Sequence, residues 1–418
     1  MKLKEKLIKS LDKISSEPVL IFTLPIALFL FPIIIFLRPF VLLRFGFFHS
    51  DRLGHFAVNT EIFFSEEKKF LKLKTPTFDF CYFPTIPCNR QLAKMISRKI
   101  KIFPKFFIRP FCLISRSINF LSVHVTGRSS NNDYDTNHVL DKIKLQLSLT
   151  QEEIEKGKKI LKKIKVNTND IVCVGVRDES YLKKTYGHQD FSYHDHRNDD
   201  IKKYIPGIKY LLKKGYTVLR MGSLTNKEVL IKHKNFFDYS RSKIKSDFMD
   251  VYVSYKCRLF VSNNTGLDAL AVIFRKPILH VGSLPVGKIS THYKKLYNTL
   301  SNYYSYDLKR FLKLTEIFNS KIQYLGRKQD FDEKKIKIVH PSKHEILKYI
   351  KETENILKNK KRKKSHLLLE KKFKKIFNKN VKKYPDGKVQ FPQTFQYHNK
   401  IKANFLYSFL NLNKHFLK

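Results

Sequence analysis

RLFVSNNTGLDALAVIFRKPILHV, Arg258 to Val281, reads as an apolar strand, a polar turn with one glycine, a small-residue helix and a second apolar strand. A strand–helix–strand unit of this kind is the repeat of a parallel sheet with helices on its faces. Asn263, Asn264, Thr265 and Gly266 stand at the turn that opens the helix. They therefore stand beyond the carboxyl end of a strand, where such sheets bind their ligands.

Outward from this stretch the alternation continues. DIVCVGVRD (170–178) and YTVLRMG (216–222) have the continuous apolar character of buried strands. NDDIKKYIPGIKYLLKKG (198–215) is a helix closed by Gly215, and SDFMDVYVSYKC (246–257) is another. LTQEEIEKGKKILKKI (149–164) begins with Thr150 and carries Glu152 and Glu153 in its first turn. These are helix-start signals: the hydroxyl accepts an orphan N–H and the acids match the dipole. Upstream, VLLRFGFF (41–48) is a strand leading into HSDRLGH, HFAVNTEIFFSEEKKF (55–70) has helical spacing, TFDFCYFP (77–84) is strand-like and NRQLAKMISRKI (89–100) is helical. The polar run TGRSSNNDYDTNH (126–138) has the composition of a domain boundary.

With 418 residues, 42% of them hydrophobic, the chain can bury a sizeable core, and global disorder is excluded. Five cysteines at 81, 88, 112, 173 and 257 include no CxxC pair, which argues for a reducing compartment rather than a disulfide framework or a zinc cluster. The formal charge of +46 is concentrated: residues 357–418 hold 18 Lys or Arg against Glu370 and Asp386. Lys, Ile, Asn and Phe are all plentiful and Trp is absent, the drift that A+T-rich coding gives. Beyond drift, a membrane surface ranks ahead of nucleic acid, since no RNP, zinc-finger or helix-turn-helix pattern accompanies the charge. No nucleic acid partner is expected.

Pro18 to Leu37 is twenty residues without a charge, the span of a hydrocarbon core. Pro25 and Pro32 interrupt its helix bonding, so two geometries are open: a kinked span, or a re-entrant hairpin. Five lysines precede it and Arg38 and Arg44 follow it, so the positive charge gives no orientation. The expected organisation is a membrane-associated segment over 1–44, an α/β domain over 45–148, a second over 149–356 and a basic helical tail over 357–418.

The residues just past each strand carry the site. They are Arg177 and Asp178, then Met221 and Gly222, then Asn263, Asn264, Thr265 and Gly266. A strand-end Arg beside two Asn, a Thr and a helix-opening glycine suits phosphate. FSYHDHRNDD (191–200) adds His194, Asp195, Arg197 and Asn198. Histidines two apart need a strand to share a face, and no cysteine stands near, so a metal is not expected.

Taken in order, VRDESYL, HDHRNDDI, YTVLRMG, SDFMDVYV, NTGLDA and PILHVGSLPVG resemble an uncharacterised bacterial family classed with the glycosyltransferases. That family's pattern reads VRDxxYL, HDYRNxDI, ViRMG, SDFMDiYL, SSGL and PvLyvNxxPlG. RLGHFAVNTEIF (52–63) and the closing IKANFLYSFLNLNKHFL (401–417) extend the match from about residue 38 onward, with HDxRN and SDFMD its most specific blocks. Thr265 stands where the family has Ser. The resemblance implies a GT-B-like fold of two Rossmann-type domains facing across a cleft. It implies a nucleotide-sugar donor on the C-terminal domain and a glycan or glycolipid acceptor on the N-terminal one. It also implies no cofactor beyond that co-substrate, and work at the cytoplasmic face of the inner membrane. On that basis Arg177 and the Asn263–Gly266 turn are assigned to the diphosphate and Arg197 is a second cation. Asp178, His194, Asp195, Asn198, Met221 and Gly222 line the donor, and Asp247 or Asp250 meets ribose or sugar hydroxyls. His55 is the expected acceptor base, with Glu61 as its substitute. Other readings are pyruvyl or phosphate-group transfer on the same architecture, or a basic module that binds membrane or nucleic acid. The residues name neither sugar nor nucleotide, nor inversion or retention.

Overall fold

A computed structural model describes residues 17–70, 75–127, 135, 137–164, 166–167, 170–177, 196–222, 228–290, 293–359, 361–383 and 401–418. The chain divides into two units, 1–133 and 134–418, with the division inside the polar stretch 126–138. Residues 135–148 belong with the second unit, where Lys294 N donates to Asp141 Oδ1 (3.3 Å).

The first unit contains helix α1 (Val19–Leu37), strand β1 (Leu42–Phe47), α2 (Leu53–Phe70), β2 (Thr77–Tyr82), α3 (Arg90–Ser97), α4 (Lys105–Ser117) and β3 (Val125–Thr126). The strands form a parallel sheet in the order β2-β1-β3. Contact between β1 and β3 requires Gly46, where a Cβ would lie 2.0 Å from Thr126 O. Buried Arg44 on β1 donates to Asp79 of β2 (2.6 Å) and to Glu67 of α2 (2.8 Å), so one guanidinium ties three elements together. Asn89 caps α3 by accepting from Leu92 N (2.8 Å). The apolar segment is one unbroken helix through Pro25 and Pro32, so a hairpin's turn is not found in it. Its Ala27, Phe31 and Ile34 join Phe45, Tyr82, Ile108 and Cys112 in a shared core.

The second unit opens with α5 (Val139–Lys142) and α6 (Gln151–Lys163). The expected cap of α6 is present: Thr150 Oγ1 accepts from Glu153 N (3.2 Å) and Glu153 accepts from Thr150 N (3.0 Å). Next come β4 (Ile171–Gly175), α7 (Ile205–Lys213), β5 (Thr217–Met221), β6 (Phe236–Phe237), α8 (Asp247–Lys256) and β7 (Leu259–Ser262). Then follow α9 (Ala269–Ile273), β8 (Ile278–Ser283), β9 (Leu296–Leu300), β10 (Asn302–Ser305), β11 (Arg310–Phe311), α10 (Leu314–Asn319), α11 (Lys328–Glu333) and β12 (Ile336–Val339). The unit ends with α12 (Lys343–Asn359), α13 (Lys364–Lys383), β13 (Asn404–Phe405) and α14 (Tyr407–Leu412). The helix read over 198–215 is a 3-10 turn, Ile201–Tyr204, followed by α7, with Pro206 in the first α-helical turn where its missing N–H costs nothing.

Seven parallel strands stand in the order β13-β9-β8-β7-β4-β5-β6. From β4 to β9 this is the doubly wound 3-2-1-4-5-6 order, whose direction reverses between β4 and β7. A smaller antiparallel sheet, β11-β10-β12, lies apart from it. The stretch set apart as a basic tail is built into this unit: Phe373, Phe377, Phe405, Phe409 and Phe416 are all buried in its core. β13 pairs with β9 at one edge of the large sheet. On its outer side Phe405 N donates to Glu370 Oε1 (3.1 Å) and Phe405 O accepts from Arg362 Nη2 (3.3 Å). An ion pair thus stands where a further strand would add, which closes the edge.

Candidate functional site

Strand ends converge where the sheet reverses. β4 leads into Arg177 and β7 into Asn263, and the two strands are hydrogen-bonded neighbours. Arg177 N donates to Asn263 Oδ1 (2.7 Å), and Asn263 Nδ2 donates to Arg197 O (3.1 Å). Arg197 Nη2 returns a bond to Asn264 O (3.3 Å), and Asp199 N donates to Arg177 O (3.1 Å). One buried amide therefore clasps three segments: the β4 end, the β7 end and the turn at 196–197. Asn264 sits at φ 63°, a left-handed conformation that asparagine tolerates better than most residues. Burial lowers the pKa of the Arg197 guanidinium, and the charge of Asp268 opposes that shift.

The turn differs from its expected form in one respect. α9 begins at Ala269, not at Gly266, and has only five residues. Thr265 N–H donates to Asp268 Oδ2 (3.1 Å). The same carboxylate oxygen accepts from Ser262 Oγ, and His280 Nε2 lies 3.1 Å from it. Asp268 thus occupies the place that the reading gave to a ligand's negative charge, and its carboxylate closes the turn before the helix without capping the helix itself. The Thr265 hydroxyl, by contrast, is buried with no hydrogen-bond partner among the described residues. Asp268 was missed in the sequence although T-x-x-D at 265–268 has capping-box spacing. His280 was missed too, and its only signal was a lone polar residue inside an apolar strand.

The other assigned residues fall at the same edge or lie outside the described residues. Met221 ends β5 and is buried, and Gly222 follows at φ 150°. Gly266 is exposed, and Asn198 is half-buried beside Arg197. Asp247 lies in the first turn of α8, behind the Ser246 cap that accepts from Met249 N (3.3 Å). Asp250 accepts from Tyr239 Oη (2.7 Å), which fastens α8 to the segment after β6. Burial raises the Asp250 carboxyl to about 6, against the bond from Tyr239 and the charge of Lys245. Asp178, His194 and Asp195 lie outside the described residues. Among the described residues no three His, Cys, Asp or Glu are grouped to hold a metal.

In the first unit His55 lies in the first turn of α2, with Asn59 Nδ2 3.5 Å from its Nδ1. His49 lies just past the central strand, its ring 6.0 Å from that of His55. His49 was passed over in the sequence although it is the second residue after β1. Glu61 is fully buried within the unit.

By strand order the second unit is a doubly wound α/β domain. No protein-family model and no curated protein matches the chain. Among solved structures it is similar to a glycosyl transferase family 9 protein from Veillonella parvula, at 11% identity and a TM-score of 0.34, over 58% of this chain and 81% of that one. It is also similar to ADP-heptose LPS heptosyltransferase II of E. coli, at 13% identity and a TM-score of 0.34, over 58% of this chain and 86% of that one.

Proposed function

We propose that the chain is a metal-independent glycosyltransferase that moves a sugar from a nucleotide-sugar to a cell-surface glycan or lipid-linked acceptor. Its place of work in this reading is the cytoplasmic face of the inner membrane. The observation that carries the proposal is the clasp of Arg177, Arg197 and Asn263 at the reversal point of a 3-2-1-4-5-6 sheet. That crevice is where doubly wound sheets take a nucleotide. The resemblance of the HDHRN and SDFMD blocks supports a sugar nucleotide over other anions.

In this reading Arg177 and Arg197 are the cations that stabilise the departing diphosphate. A buried guanidinium is worth more there than in water, because no solvent must reorganise as charge develops. The Thr265 hydroxyl supplies a further donor. Asp268 faces no ligand and holds the turn in shape. His55, with His49 beside it, is the base for the acceptor hydroxyl.

A thermal-shift panel of nucleotide-sugars identifies the donor, since a ligand of the folded state raises apparent stability. With that donor, Arg177→Ala should lose about 2–4 kcal/mol of donor affinity or turnover. Arg177→Lys should recover only part, because an ammonium lacks the bidentate fork. Unchanged affinity and turnover in a folded Arg177→Ala protein would reduce the clasp to a structural tie and overturn the assignment.

A further inference from the structure

α1 is apolar on every face, but the protein uses only one of them. Ala27, Phe31 and Ile34 are buried against the first unit's core. Phe31 lies 6.0 Å from the ring of Phe111 on α4 and 6.2 Å from that of Phe45 on β1. The opposite face carries Phe22, Ile26, Phe29, Ile33 and Phe36, all exposed, the three phenylalanines by 74%, 78% and 75%. Their spacing of four and three residues makes one continuous stripe. A helix docked on a soluble domain turns its polar side outward. This one has no polar side to turn.

Exposed aromatic residues from elsewhere in the sequence stand by both ends of α1. Glu17, just before α1, bonds Lys105 (3.0 Å) and Arg109 (3.0 Å) of α4, so the two helices start side by side. Next to Lys105 stand Phe106 and Phe107, both exposed. At the other end Arg38 lies over the ring of exposed Phe120 (5.8 Å). An apolar surface flanked at each end by cations remains. Exposed apolar surface on this scale marks an interaction site.

We propose that this surface is a membrane dock, with α1 lying in the plane of one leaflet of an anionic bilayer. Charge complementarity selects that occupant, since the apolar stripe enters the acyl boundary while Arg38, Lys105 and Arg109 remain at the head groups. The buried inner face excludes a free span. To cross the bilayer, α1 would draw α4 with it, and Arg109 and Arg116 would enter hydrocarbon. The dock belongs to the first unit alone and stands whether or not the second unit transfers sugar.

The test is flotation of the full chain with vesicles of phosphatidylcholine and phosphatidylglycerol. Wild type should float. Phe22→Ser with Phe29→Ser should lower binding at least tenfold, and so should Phe107→Ser with Phe120→Ser, the scale of withdrawing buried phenylalanine from lipid. Melting temperatures should stay unchanged, because these side chains are exposed in the fold. Impermeant maleimide should label cysteines placed at Val19 and at Pro39, in a Cys88→Ser background, from the outside of the same vesicles. A span would leave Phe107→Ser with Phe120→Ser without effect and would shield one of the two cysteines. Either result overturns the proposal. So does a lipid-free oligomer that these substitutions dissociate, since the surface would then belong to a second copy.

Discussion

α1 and α13 are the most lopsided stretches of the sequence, one without charge and the other crowded with lysine. As sequence, both look like appendages, an anchor and a tail. In the fold each gives one face to a core: Phe31 of α1 to the first unit, Phe373 and Phe377 of α13 to the second. Each is also clasped by an acid. Glu17 bonds Lys105 and Arg109, and Glu370 bonds Arg362 (2.5 Å) and Lys374 (2.9 Å). The difference lies outside. α13 turns Lys371, Lys372, Lys375 and Lys379 outward, whereas α1 turns out phenylalanine and isoleucine. The inner face of such a helix thus decides whether it belongs to the fold, and the outer face decides what medium it meets.

The inner faces carry the largest expected effects. Phe31→Ala and Phe373→Ala should each cost about 3–5 kcal/mol, the scale for removing a buried ring, as read by denaturant unfolding. Loss of less than about 1 kcal/mol from either would make that helix an appendage after all. The clasps should separate the two ends. The Glu370 side chain is 6% exposed, so Glu370→Gln should cost about 3 kcal/mol by leaving Arg362 uncompensated in the interior. Glu17 is 28% exposed, and Glu17→Gln should cost under about 1 kcal/mol. Equal losses would show that burial is not what ranks the clasps. The smallest effect belongs to the outer face of α13: replacing Lys371, Lys372, Lys375 and Lys379 with Gln should change stability by less than about 0.5 kcal/mol per site in a thermal melt.

Much of the central sheet was legible because its signals are local. β4, β5, β7 and β8 are continuous apolar runs bounded by glycine, proline or charge, and their observed limits lie close to the expected ones. Thr150 and Glu153 announced α6 through a contact three residues long. What the sequence hid is non-local. β13 is two residues long and pairs with Tyr297 and Asn298 across about a hundred residues. The sheet β11-β10-β12 gave no alternation strong enough to be read. The site divides in the same way. Arg177 and Asn263 stand just past the ends of two apolar runs, a position visible in the sequence, but the bond between them joins residues 86 apart. Asp268 was within reach, since its spacing from Thr265 is that of a cap, yet an acid at an anion site is not what phosphate chemistry leads one to seek.

β13 also sets a timetable. A ribosome adds roughly 5–20 residues per second, so the edge of β9 waits about 5–20 s after its own synthesis before Asn404 and Phe405 emerge to cover it. Until then an unpaired strand edge is open to any other nascent chain. A message cut short before codon 404 would leave that edge open for the life of the protein. Its Arg362–Glu370 latch would then have no Phe405 backbone to hold.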